Sequence, residues 1–198
     1  GAHTFGDNDK LKNIETIKTH ADGSEVDLSA QKEALTITGD VGNDIITGGQ
    51  GIDIINAGDG TDTITGGKGD DIITGGAGND IITGGAGSDT FNVDAGIDTI
   101  KDLSASDILV VSSGATANAT ISASYTVTNV TKNDGTANLT IGTADLSTDL
   151  SLASGSAGFN ITGSSGADTI TATGKADTFI IAAAGKANTD TMDGGDGT

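Results

Sequence analysis

Six aspartates, Asp44, Asp53, Asp62, Asp71, Asp80 and Asp89, recur at intervals of nine residues. The chain has no Cys, and its two histidines, His3 and His20, lie far from them in sequence. Carboxylates without Cys or His form an all-oxygen ligand set, which is the chemistry of a hard cation. No Gly-x-Ser-x-Gly elbow, His-Glu-x-x-His pair, EF-hand loop or Walker lysine accompanies them, since Lys68 is followed by Gly69. The chain reads as non-enzymatic.

The aspartates are held in phase by a nonapeptide repeated six times from Gly39 to Asn92, of the form Gly-Gly-x-Gly-x-Asp-x-aliphatic-x. Glycines at positions one, two and four allow positive φ and close backbone approach, so the first six residues read as a turn. The last three read as a short strand, in which position eight (Ile46, Ile55, Ile64, Ile73, Ile82, Phe91) faces one way and positions seven and nine the other. Two nonapeptides then make one coil, and residues 18 apart stack. Asp44, Asp62 and Asp80 form one column; Asp53, Asp71 and Asp89 form the opposite one. At the spacing of adjacent strands and an effective dielectric near 20, neighbouring carboxylates repel by about 3 kcal/mol. The columns require a cation, and Ca²⁺ suits an adaptable cage of many protein oxygens better than Mg²⁺ does. One buried aliphatic side chain per nine ordered residues predicts a repeat that is unfolded, or nearly so, without metal.

Residues 39–92 resemble, without a gap, the RTX-type (hemolysin-type) calcium-binding repeats of secreted bacterial proteins, which form parallel β-rolls. The resemblance implies several Ca²⁺ ions held between successive turns by the position-six aspartates and loop carbonyls. After Asn92 the phase persists while glycines fade: Asp98 extends the first column and Asp107 the second. A degenerate repeat returns at Gly163 with Asp168 and Asp177. On the analogy these four join the metal ligands. The implied fold is all-β, a right-handed parallel β-roll or solenoid with stacked calcium-binding turns, flanked by metal-free β-coils and a small β insertion.

Four regions follow. Residues 1–38, opening on a Gly1-Ala2-His3 that reads as a tag or an arbitrary cut, form metal-free coils. Val26-Asp27-Leu28 and Leu35-Thr36-Ile37-Thr38 keep the aliphatic phase but lack the Asp, and Leu11 to Ile17 adds a further strand. Residues 39–110 form the roll. Residues 111–162 form a β-rich spacer, expected to be antiparallel around a turn at Lys132-Asn133-Asp134-Gly135; Tyr125 there reads as a packing residue. Residues 163–198 begin a second, degenerate module. A longer period supports the last reading: Asp27-Leu28-Ser29 and Asp149-Leu150-Ser151 each precede a Thr-Gly and a position-six Asp.

The net charge is −19, almost wholly from Asp, with 32 Gly, no Pro, no Arg and 3% aromatics. Such a chain lacks the means to build an aromatic core, and it is a poor partner for nucleic acid or an anionic membrane. No apolar run reaches the length of a membrane span, and no segment reads as a signal peptide. Asn118, Asn129, Asn138 and Asn160 begin Asn-x-Thr sequons, which read as Thr-rich composition. Outward position seven carries Ile45, Ile54, Ile72 and Ile81 with Thr63 and Thr90 between them. Each sheet face thus shows an aliphatic and threonine stripe, which is either covered by residues 111–162 or makes lateral contact with other copies in a lattice. An ice-binding array is disfavoured, because position three (Val41, Gln50, Asp59, Lys68, Ala77, Ala86) is irregular. The expected function is a calcium-dependent structural module of a secreted bacterial surface-layer or adhesin-like protein, located outside the cell. The alternative is the calcium-binding tail of a secreted hydrolase or toxin.

Overall fold

The computed structural model describes residues 2–4, 15–20, 23–127, 131–180 and 190–195; Leu11 to Ile14 lie outside them. The chain winds as a parallel β-solenoid. Odd strands of the repeat stack in one sheet and even strands in another, giving a ten-stranded and a seven-stranded sheet among the described residues. Every pairing is parallel, and no helix is present among the described residues.

Within the nonapeptides the register step is 18: Ile46 lies against Ile64 and Ile64 against Ile82 in one sheet, and Ile37, Ile55 and Ile73 form the matching row in the other. Alternation sends these side chains inward, where all are buried. The core is therefore two facing columns of one aliphatic residue per strand, continued by Phe91, Ile100 and Leu109. Glycine is obligatory in the connecting loops. Gly76 has φ of +104° and Gly78 of +138°, and a Cβ on either would run into the carbonyl oxygen of Gly58 or Gly60 in the coil below. Coils stacked at strand spacing leave no room between loop backbones.

Residues 111–162 correct the antiparallel expectation. Thr116–Ile121 pairs in parallel with Thr136–Ile141, in register along its whole length, and that strand pairs in parallel with Phe159–Thr162. The turn at Asp134-Gly135 closes no hairpin. Lys132–Asn133 joins the seven-stranded sheet beside Val110–Val111, whereas Thr136–Ile141 joins the ten-stranded one. The segment is thus more solenoid, built from longer coils: Asn138 opposes Asn160 and Ser147 opposes Thr169, a step of 22. The extra residues form a third face, a four-stranded sheet of Tyr125–Thr126, Ser147–Asp149, Thr169–Thr171 and Thr191–Asp193. Tyr125 packs inside, fully buried.

Because residues 111–162 stack on the end of the roll, they do not cover its faces. Ile45, Ile54 and Ile72 are 41–48% exposed. The long-period echo has a structural counterpart: Asp27 accepts the Ser29 N–H and Asp149 the Ser151 N–H, each at 3.0 Å, around fully buried Leu28 and Leu150.

Candidate metal centre

Position six stands where each loop enters its strand, and the fold buries nine of the ten sequence-predicted aspartates: Asp44, Asp53, Asp62, Asp71, Asp80, Asp89, Asp98, Asp107 and Asp168 are each 3% exposed or less, while Asp177 is half-buried. The two columns form as the spacing predicts. A connection unforeseen from the sequence runs along them. Oδ1 of each Asp accepts the backbone N–H of the Asp 18 residues earlier: Asp62 from Asp44, Asp80 from Asp62 and Asp98 from Asp80 in one column, and Asp71 from Asp53, Asp89 from Asp71 and Asp107 from Asp89 in the other, at 2.7–3.1 Å. Each carboxylate thus serves two coils. It satisfies a donor that the strand ladder leaves over, and it fixes the height of the next loop.

The second oxygen divides the set. Oδ2 of Asp62, Asp71, Asp80 and Asp98 is buried and has no hydrogen-bond partner. An orphaned carboxylate oxygen is costly, and a cation removes that cost. The space beside it is kept open by the absence of a side chain: a Cβ on Gly66, Gly75 or Gly84, at position one, would collide with Oδ2 of Asp71, Asp80 or Asp89. The donor set is one carboxylate oxygen per loop among close-stacked backbone carbonyls. Among the described residues no three acidic or imidazole side chains cluster as a self-sufficient metal site. Any ion there must draw on main-chain oxygens, which suits Ca²⁺.

Electrostatics points the same way. Burial pushes the carboxyl of Asp62 up to about 6 and that of Asp71 up to about 7, with the neighbouring carboxylates adding to the rise and the backbone N–H opposing it. Asp89 rises to about 6 and Asp98 to about 7 for the same reasons. Asp53, Asp80 and Asp107 shift upward too, again chiefly through burial. An anion held in such a place calls for a counter-charge within contact distance.

Apart from Asp89, the remaining sequence-predicted ligands have partners of their own at the second oxygen. Asp44 Oδ2 takes the Thr19 hydroxyl and Asp53 Oδ2 the Gly49 N–H. Asp107 Oδ2 takes both N–H and O–H of Ser104, Asp168 Oδ2 those of Ser164, and Asp177 Oδ2 those of Thr173. Two further carboxylates stiffen the loops. Asp102 receives the N–H groups of Gly84 and Gly85 on its two oxygens, and Asp70 receives that of Ser88. Asn43 and Asn79 do the same for Thr61 and Ile97. The sequence signal for Asp168 and Asp177 was a hydroxyl residue at position two, Ser164 and Thr173, where the nonapeptides from Gly48 to Asn92 have Gly.

A family model of the RTX calcium-binding nonapeptide repeat (four copies) matches residues 38–73, 65–100 and 154–180. No curated protein and no solved structure matches the chain.

Proposed function

We propose that this chain, whose nonapeptides are RTX calcium-binding repeats wound into a parallel β-roll, is a calcium-dependent structural module of a secreted bacterial cell-surface protein, surface-layer or adhesin-like in type, with no catalytic role. The observation that carries the calcium dependence is the set of buried, unpartnered Oδ2 atoms of Asp62, Asp71, Asp80 and Asp98. Those four aspartates hold the ions together with loop carbonyls, and Asp89 has the same place in its column. Bound calcium supplies positive charge between coils that otherwise carry stacked carboxylates; the chain's part is to set those carboxylates 18 residues apart and to bury them.

Secretion fits the balance of forces. Sites of the extracellular class bind at roughly 10⁻⁴–10⁻³ M, so the acidic roll of residues 39–110 stays unwound in the cell and stiffens outside it. The repeated turn at Asp27-Leu28-Ser29 and Asp149-Leu150-Ser151 favours a serial module over a single calcium-binding tail on a hydrolase or toxin. Other copies of the chain are the partners of the uncovered outer faces, which carry Ile45 on one sheet and Ile54 and Ile72 on the other, with no nucleic acid and no membrane insertion.

A far-ultraviolet circular dichroism titration from chelator to millimolar calcium, with magnesium as control and light scattering recorded alongside, tests this. The expected result is a cooperative gain of β signal with calcium alone. A spectrum unchanged by calcium would overturn the reading.

A further inference from the structure

Residues 154–180 match the calcium-repeat family as residues 38–100 do, yet the two stretches treat their aspartates differently. In the central loops the position-two glycines Gly58, Gly67 and Gly76 have φ of +104° to +120°, and the aspartates that follow, Asp62, Asp71 and Asp80, keep a bare Oδ2. Position two of the late loops is Ser164 and Thr173. Asp145 is the only described non-glycine residue with positive φ, so these two hold their loops in the other conformation. There the position-two N–H and hydroxyl both turn onto the carboxylate: Ser164 N and Oγ lie 2.8 and 2.9 Å from Asp168 Oδ2, and Thr173 N and Oγ1 lie 3.0 and 2.9 Å from Asp177 Oδ2. Each hydroxyl also accepts the N–H two residues on, from Gly166 and Lys175. Their first oxygens differ as well. Asp168 Oδ1 accepts from Leu146 N–H and Asp177 Oδ1 from Phe159 N–H, so the coil before each offers an apolar residue where the roll offers a second carboxylate.

We propose that the Ser164 and Thr173 side chains stand in for the cation, so that Asp168 and Asp177 are structural carboxylates and the coils from about residue 115 to 180 hold their fold without calcium. The inference rests on the reading of the roll as calcium-dependent. Its consequence is a division of labour. The late coils form a standing end, and Asp107, already satisfied by Ser104, marks the boundary at which calcium-dependent winding starts. An incoming coil meets an ordered edge there and escapes the slow nucleation of a free solenoid.

The experiment is hydrogen exchange on the full chain in chelator and in saturating calcium, paired with calcium counting by equilibrium dialysis. In chelator the amides of Phe159–Thr162 and Thr169–Thr171 should exchange at least on the order of a hundredfold more slowly than an unstructured chain, while those of Ile45–Thr47 and Ile81–Thr83 exchange freely until calcium is added. Asp168→Asn with Asp177→Asn should leave the calcium count unchanged, and Asp62→Asn with Asp80→Asn should lower it. Free exchange of the late coils in chelator, or a fall in count in the Asp168/Asp177 variant, overturns the proposal. Failure of the calcium reading itself is a separate outcome, seen as exchange at Ile45–Thr47 and Ile81–Thr83 that ignores calcium.

Discussion

Residues 39–110 and residues 111–180 solve the same problem, stacking thin coils on a narrow core, with different materials. The first region steps 18 residues per coil, puts Ile at nearly every inward strand position and leaves four buried carboxylate oxygens bare. The second steps mostly 20 to 22 residues, adds a third face and lets small side chains such as Ala117, Ala119 and Ala137 line part of the core. Its Asp168 and Asp177 are capped by hydroxyls. On its outer face Asn138 donates to Asn118 and Asn160 to Asn138, each at 2.8 Å, a side-chain ladder that needs no ion. Short coils can afford few internal donors and borrow an external cation; longer coils supply their own.

Core truncation should separate the regions most strongly. Ile73→Ala in the roll and Leu139→Ala in the late coils each remove a fully buried side chain and should cost about 2–5 kcal/mol. Denaturation with and without calcium checks the contrast: the first substitution raises the calcium needed for folding, and the second lowers stability equally in both conditions. An equal calcium shift from both would erase the distinction.

Next comes the Asp ladder. Asp80→Ala strands the buried N–H of Asp62 as well as removing a cation oxygen, a loss of about 1–3 kcal/mol for the donor alone. Asp80→Asn keeps an acceptor for that N–H while removing the charge. It should weaken calcium binding but spare the fold reached in saturating calcium, so the pair of variants divides the ladder from the metal.

Acidity sharpens the comparison further. Asp62, Asp71, Asp89 and Asp98 have their carboxyls raised to between about 6 and about 7, above the 3.8 of an unperturbed Asp. Between these values the folded, calcium-free roll holds protons that the unfolded chain has released. Its stability is therefore fully present below about pH 4 and is lost as pH rises toward 7. Calcium competes with those protons, so the calcium midpoint should fall over the same interval. Thermal melts in chelator and calcium titrations from pH 4 to 7.5 read both effects; a calcium midpoint independent of pH would break the link.

The smallest effects belong to the caps and the faces. Ser164→Ala should cost about 1 kcal/mol, alike with and without calcium. Ile54→Ser, at an exposed site, should change monomer stability by no more than about 0.5 kcal/mol while reducing calcium-dependent light scattering if that face joins copies.

Much of this was legible in the sequence because the repeat ties chemistry to geometry. A period of nine with Asp at six and an aliphatic residue at eight leaves one way to stack, so the columns at Asp44 and Asp53 and the Ile core follow from counting. The late coils were less legible. Thr116–Ile121 and Thr136–Ile141 alternate as any strand does, and alternation does not encode whether neighbours run parallel or antiparallel. Gly135 marks a turn but not whether it closes a hairpin or rounds a corner between sheets. The sequons at Asn118, Asn138 and Asn160 looked like composition, yet their 20- and 22-residue spacing stacks them into the Asn ladder. The sorting of aspartates by their second oxygen depends on loop φ values and on Ser104, Ser164 and Thr173, and no periodicity announces those.

The most direct test is a crystal structure grown in calcium, with anomalous scattering recorded to locate the ions. Peaks within coordination distance of Oδ2 of Asp62, Asp71, Asp80 and Asp98, with none beside Asp168 or Asp177, are the predicted result. Columns without ions, or an ion at Asp168 with the Ser164 hydroxyl turned away, would contradict the account.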